Sequence, residues 1–600
     1  MHKTLVDWPA VTMKDRHKQT LEVASRKDVT EKISMYEGFG SFHTDNVEDL
    51  VNINDKDYRP PTNMPYFAQK VLSMDEIRTL HRQCSPVSLA KKVVAGMKRR
   101  REPREPDALE GASPAHSLVT KAAGFNGTPE VVVRSADAEK AEREVYATPV
   151  EPCEMGQPFK EKYFDLCDEM LFINHGAFGS ALVGGMFIKQ QYELLMESEV
   201  VEFVDRTLLP LVVHSLRSLS KFFNANPTQM VLLQNATFAL NSAMRLIEKD
   251  DVVAFCDTEY LAVYKMMFFR CQEVGASFHE IHLLKYLHDE AVMGSDEALT
   301  NMICDQLPAK CTTIILDYVT STTALCMPVF THLVPALRRK GVTKIIVDGA
   351  HAPLQIDLNF NDLRPECQPS VFVGNLHKWF SSPKSAGFMW VNQSNVEHIH
   401  SVVLSHGAGE GMLSEFIWDG TRDYGAYLSI PAIVSFWTVQ GCGRVREYCS
   451  SLLSSVVDML TSAFRSRKVQ RRSMFMSLVE LPEELQDDII TAKYIQDVLH
   501  DTYKIEVPVK NVDDRFYIRV SVFVYNTAAD YVYLRDAVLS IADRWFHSQQ
   551  RLTLLRQKKI IVKQEAPKDV PCDERIRRQG GCGVSGLDPS LKKKKTAKFS

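Results

Sequence analysis

The chain has 600 residues, with 71 lysines and arginines against 75 aspartates and glutamates and a formal net charge of −4. That balance argues against nucleic-acid binding by the whole surface, and the length allows more than one domain with large cores. Thirteen cysteines lie scattered, with no CxxC pair and no histidine at zinc spacing, so reduced thiols, no metal site and a cytoplasmic chain are expected.

The start, MHKTLVDWPAVTMKD, has an early acid and no apolar core, unlike a secretory signal. No stretch approaches the roughly 18 to 20 apolar residues of a membrane helix. Residues 1–150 are charged and short of long apolar periods, which predicts a largely disordered N-terminal extension. Its basic cluster from Lys98 to Arg104 reads as a solvated linker before it reads as an import or anion-binding patch. Residues 160–425 alternate strand-like runs (DVVAFC, TTIILDYV, KIIVDGA, SVFVG) with helical periods. That pattern predicts an α/β fold, a mostly parallel sheet with helices on both faces. Residues 426–548 shift to a long helix, a charged helix, strands such as FYIRVSVFV and a helix from Ala528 to Phe546, the pattern of a smaller α+β domain. The tail, 549–600, ends in SLKKKKTAKFS; four adjacent lysines repel and stay solvated, so disorder is expected.

Three segments carry chemistry. Val371–Val391, VFVGNLHKWFSSPKSAGFMWV, places Lys378 in a polar gap between two apolar strands. A lysine at the end of a buried strand loses solvent, which lowers its pKa and frees the amine as a nucleophile. A Schiff-base lysine needs that. Lys344–Pro353, KIIVDGAHAP, ends a β-branched strand at Asp348. Pyridoxal phosphate enzymes pair a lysine with a carboxylate against the pyridine nitrogen, and ligands collect at the carboxyl ends of parallel strands. His351 follows, placed for the phenolic oxygen of such a ring. Met230–Ile247 runs from a strand through Gln234, Asn235, Ala236 and Thr237 into an amphipathic helix. The unpaired N–H groups of a helix start favour a phosphate. Taken singly, each segment also has a plain reading: a surface lysine, a turn aspartate, an ordinary N-cap.

Together with the blocks INHGAFGS (Ile173–Ser180), CDTEYLAV (Cys256–Val263), DYVTSTTALCMPV (Asp317–Val329), WDGTRDYGAYLSIPA (Trp418–Ala432) and YIRVSVFVYNT (Tyr517–Thr527), these segments resemble the class V aminotransferase family of fold-type I pyridoxal phosphate enzymes. Within it they look most like the isopenicillin N epimerase-like branch, which also holds cysteine desulfhydrases. The blocks keep family order over about residues 165–548. The resemblance implies pyridoxal 5'-phosphate on Lys378, which would also move protons at Cα, with Asp348 at the ring nitrogen and His351 at the phenolic side. It implies Tyr260 stacked on the ring, and Asn235, Ala236, Thr237 and His377 at the phosphate. Thr421 would reach the phosphate of a neighbouring subunit in a homodimer. Arg519 would grip the substrate α-carboxylate, helped by Asn174 and His175.

The region Tyr503–Tyr517, YKIEVPVKNVDDRFY, has no cysteine where desulfurases of the family carry their catalytic one, and Ser321-Thr322 replaces the family's Ser-Pro. The expectation is therefore a β-eliminating lyase on cysteine or a cysteine derivative, with an epimerase or aminotransferase as the alternative within enzymes. A coenzyme-binding pseudoenzyme that serves as a scaffold is the alternative of another class.

Overall fold

The computed structural model describes residues 44–61, 64–83, 145, 148–487 and 489–562. The basic cluster at Lys98–Arg104 and the lysine-rich end lie outside them. The chain divides into two compact units, each made of separate stretches. Residues 1–152, 182–222 and 403–439 form the first; residues 153–181, 223–402 and 440–600 form the second.

The first unit is helical where described. It includes Thr44–Asn52, Met74–Gln83, α1 (Val183–Ser198) and α2 (Leu208–Phe222). Part of the segment expected to be disordered is thus folded. The reason is local: Val47, Leu50 and Val51 share a helical face and are buried, as are Ile77 and Leu80, a spacing that short segments need in order to dock. Arg217 of α2 anchors this arm. Its guanidinium sits 4.2 Å from the centre of the Tyr58 ring, donates to the Val51 carbonyl at 2.7 Å and pairs with Asp55.

The second unit holds a seven-stranded sheet. Its strands are β1 (Met230–Leu233), β2 (Val252–Cys256), β3 (Ser277–Ile281), β4 (Thr313–Asp317), β5 (Lys344–Asp348), β6 (Val371–Asn375) and β7 (Gly387–Val391). Their spatial order is β1-β7-β6-β5-β4-β2-β3. All pairings are parallel except those of β7, which runs against both β6 and β1. Every residue of β1, β4, β6 and β7 is buried, so these strands appear in the sequence as unbroken apolar runs. The order matters for function: β2, β4 and β5 are neighbours, so the residues at their carboxyl ends lie side by side.

Helices α3 (Ala236–Ala243) and α4 (Leu261–Val274) follow β1 and β2. Later come α5 (Cys442–Phe464), β8 (Met476–Glu480), α6 (Ala492–Tyr503), β9 (Val509–Val512), β10 (Arg515–Ser521) and α7 (Ala528–Val562). The last three strands make an antiparallel sheet with β10 in the middle. Two helix ends differ from expectation. Helix α3 stops at Ala243 and finishes in a tight turn, Met244–Leu246, short of Ile247. Helix α7 runs past Phe546 to Val562, because RLTLLRQKKI continues with strong helix formers and no Gly or Pro. No described helix is long and apolar enough to cross a membrane.

Candidate active site

Lys378 lies three residues beyond β6. Its Nζ is 2.9 Å from Nε2 of His351. Burial lowers the amine to about 8; Asp348 opposes that shift and Arg519 adds to it. Burial, with the charge of Lys378, also drives His351 well below the usual imidazole range. A neutral His351 therefore accepts from the lysine at Nε2 and keeps its proton on Nδ1, which is buried without a partner. With its value lowered to about 8, an appreciable fraction of the amine is neutral at physiological pH, as a nucleophile requires.

The backbone at Lys378 is held from beneath. His175 is fully buried. Its Nε2–H donates to the Lys378 carbonyl at 3.1 Å, and its Nδ1 lies 2.8 Å from the Tyr525 hydroxyl. The ring stacks on Phe523, centroids 4.0 Å apart, and on Trp379 at 5.2 Å. The sequence reading put His175 on the substrate side. The structure corrects that placement: both ring nitrogens are spent on protein partners, and burial drives the pKa to about 3, so His175 positions the lysine. Gly179 completes the support. Its φ is +68°, and a Cβ there would stand 2.1 Å from the His377 carbonyl oxygen and 2.8 Å from the Lys378 Cα. Gly179→Ala is expected to destabilise the protein by about 2–4 kcal/mol through clash and strain combined, measurable as a drop in the denaturant midpoint.

Opposite the lysine is an acidic group only partly visible in the sequence. Asp348 ends β5 and is buried; its Oδ1 accepts from the Ala350 N–H at 2.8 Å. Asp317 ends β4, in register with Asp348. Glu259 follows β2. The three carboxylates lie within 4.8 Å of one another, all buried. Burial pushes all three pKa values up, and repulsion by neighbouring carboxylates adds to the rise of Glu259, to about 8, and of Asp317. Like charges this close cannot all ionise. Three carboxylates at such spacing can also hold a cation; here the positive charge acting on Asp348 and Asp317 is that of Lys378. Sequence reasoning named Asp348 alone. Tyr260, expected over the ring, caps α4 and is 47% exposed. Its N–H donates to Glu259 Oε1 at 3.1 Å, and Glu259 is the side chain of that segment that enters the buried group.

At the helix start, the Asn235 side chain caps α3 by accepting from the Phe238 N–H at 3.0 Å. The Ala236 N–H is taken by Asn375 Oδ1 at 2.9 Å, so Ala236 shapes this end without a free donor. Thr237 lines an open cleft of about 340 Å³ with Asn235, Phe238, Asn241 and Val402. His377 is half-buried; its Nδ1 has no partner, and burial lowers it to about 4. Arg519, in the middle strand β10, is 4% exposed. It donates to the Ser321 carbonyl and, at 3.4 Å, to Asn174 Oδ1; its Nε is unpartnered. Asn174 donates in turn to Glu506 at 3.1 Å. Thr421 belongs to the first unit, where it is exposed in a turn in which Arg422 pairs with Asp419 at 2.5 Å.

No protein-family model matches the chain. Among curated proteins, an L-cysteine desulfhydrase of Arabidopsis thaliana is 27% identical over 411 residues, 62% of this chain and 87% of that protein. An isopenicillin N epimerase of Amycolatopsis lactamdurans is 24% identical over 367 residues, 58% of this chain and 89% of that protein. Among solved structures, a cysteine desulfurase from Thermococcus onnurineus NA1 superposes with a TM-score of 0.54 at 13% identity, over 66% of this chain and 100% of that one. The cystine C–S lyase C-DES superposes with a TM-score of 0.52 at 15% identity, over 62% and 97%. The chain shares the fold of these solved structures, a mostly parallel sheet flanked by helices. The lysine after β6, the aspartate ending β5 and the arginine of β10 occupy one compact unit, together with the residues that open α3.

Proposed function

We propose that this class V chain is an enzyme that carries pyridoxal 5'-phosphate on Lys378 and acts as a β-eliminating lyase on cysteine or a cysteine derivative. The observation that carries the reading is the buried pairing of a lysine amine lowered to about 8 with a carboxylate group containing Asp348. The residues present fit the coenzyme. Lys378 offers an amine to its aldehyde and Asp348 a carboxylate to its ring nitrogen. Asn235 and Thr237 border a cleft for its phosphate, with His377 next to Lys378 in the chain, and the unpartnered Nδ1 of His351 is a donor in waiting. The coenzyme, when bound, supplies a ring that accepts electrons from Cα.

The chain's own residues do the rest. Arg519 fixes the substrate carboxylate through its forked guanidinium, with Asn174 holding the fork in place. The amine of Lys378 takes the Cα proton and returns one, as general base and acid. His351, neutral and hydrogen-bonded to that amine, sets its direction. Loss of a group from Cβ then follows if the leaving group is a thiol or a similar anion. The relatives named L-cysteine desulfhydrase favour that outcome, and the missing cysteine between Tyr503 and Tyr517 argues against a persulfide-forming desulfurase. Epimerisation is the second reading, favoured by the relatives named isopenicillin N epimerase. A homodimer in which Thr421 completes the partner's phosphate site, and a cytoplasmic location, belong to the same proposal; one relative is named chloroplastic. The test is product analysis on purified protein with cysteine and its S-substituted forms. Pyruvate and ammonia in equal amounts support the lyase. Inversion at Cα with neither product supports the epimerase, and a keto acid formed only with an acceptor present supports transamination.

A further inference from the structure

We infer that Lys510 is a second anion-binding group of the substrate site, and that the favoured amino acid carries an acidic group on its side chain. This rests on the reading above, in which Arg519 takes the α-carboxylate. Strands β9 and β10 pair antiparallel, with Lys510 opposite Tyr517. Residues two apart on a strand share a face, so Tyr517 and Arg519 share one, and Lys510 shares it with them. Lys510 is thus the diagonal neighbour of Arg519, about 7–8 Å away across the ladder and within reach for a long side chain.

Neither cation meets an acid among the described residues. Lys510 is half-buried and has no hydrogen bond or ion pair among the described residues. Burial and the charge of Arg519 both push its amine down. Arg519 meets only a carbonyl and an amide, with its Nε unpartnered. The nearby carboxylates are committed elsewhere. Glu480, opposite Tyr517 on β8, holds Arg467 at 2.9 Å and Arg515 at 2.7 Å. Glu506 accepts from Asn174 at 3.1 Å. The Tyr517 hydroxyl is 2.9 Å from His288 Nε2.

Buried charges are normally paired. Here a buried and a half-buried cation share one sheet face without a counter-ion among the described residues. One α-carboxylate answers one of them, and the other calls for a second anion. On a cysteine derivative that anion sits on the sulfur substituent, as a carboxylate or an oxidised-sulfur acid, which are alike in charge and acceptor oxygens.

The experiment titrates the coenzyme absorption of the holoenzyme with four amino acids. S-carboxymethylcysteine and S-sulfocysteine are the acidic arms, which tell the two kinds of anion apart. S-methylcysteine is neutral and S-(2-aminoethyl)cysteine cationic. Wild type is expected to half-saturate with at least one acidic compound at about ten-fold lower concentration than with S-methylcysteine, the worth of one desolvated ion pair. Lys510→Met should collapse that ratio towards one, Lys510→Arg should keep it, and Lys510→Glu should reverse it in favour of the aminoethyl compound. A wild-type ratio near one, or a ratio unchanged in Lys510→Met, overturns the inference while leaving the enzyme reading intact. Absence of any spectral response to any amino acid sinks both.

Discussion

Lys378→Ala is expected to lower turnover by about three orders of magnitude or more, since one group supplies both covalent attachment and proton transfer. The same variant should lose the visible absorption of the bound coenzyme. The argument is electrostatic as well as covalent. Burial lowers the wild-type amine to about 8, so an appreciable fraction is neutral near pH 7.5 and able to attack a carbonyl. Without it, His351 loses its hydrogen-bond partner, and Asp348 and Asp317 lose the cation that restrains their upward shift. Lys378→Arg separates the two effects. It keeps a charge beside the acids but offers no amine nucleophile, so it should stay as inactive as Lys378→Ala while protecting the fold better. Steady-state kinetics and the absorption spectrum check both; a Lys378→Ala protein that keeps more than about a tenth of wild-type turnover would remove Lys378 from the proton-transfer role.

The coenzyme-free protein is expected to lose stability as pH rises from about 6.5 to 8. The sign follows from proton counting. Unfolded aspartate and glutamate are ionised throughout that range, with ordinary values of 3.8 and 4.5. In the folded protein Glu259 stays protonated up to about 8, and Asp317 is also raised. The native state therefore holds more protons than the unfolded state, and stability falls with pH by about 1.4 kcal/mol per pH unit for each extra proton. Below 6.5 the slope is masked, because His175, His351 and His377 have lowered pKa values and act in the opposite direction. Above about 8 the lowered Lys378 also acts in the opposite direction, as the folded amine is neutral where the unfolded one is charged. Glu259→Gln should flatten the slope by about one proton and raise stability at pH 8. Chemical denaturation of apo-protein at several pH values measures this. A flat or rising profile between 6.5 and 8 would contradict shared protons in the three-carboxylate group.

Much of this site is legible in the sequence because its chemistry demands particular residues at strand ends. IIV (345–347) and VFV (371–373) are short unbroken apolar runs, so Asp348 and the loop to Lys378 follow from pattern alone. Glu259 and Asp317 were not legible as partners of Asp348. An acid after a short strand looks like a turn or cap residue, and only the sheet order, with β2, β4 and β5 adjacent, brings the three together. His175 misled for a related reason. Its neighbours Phe523, Tyr525 and Trp379 come from distant segments, so the local text INHG gives no hint of an aromatic core. The block around Tyr260 also hid a partner: one position earlier, Glu259 is the buried side chain. The two units are likewise not readable as successive stretches, since each gathers segments that composition would assign separately.

The central claim is tested most directly by reducing coenzyme-loaded wild-type protein with borohydride and mapping the modified peptide by mass spectrometry. A single pyridoxyl-phosphate adduct on Lys378 is the predicted result. A protein that binds no coenzyme, or one modified at another lysine with Lys378 untouched, would contradict the account.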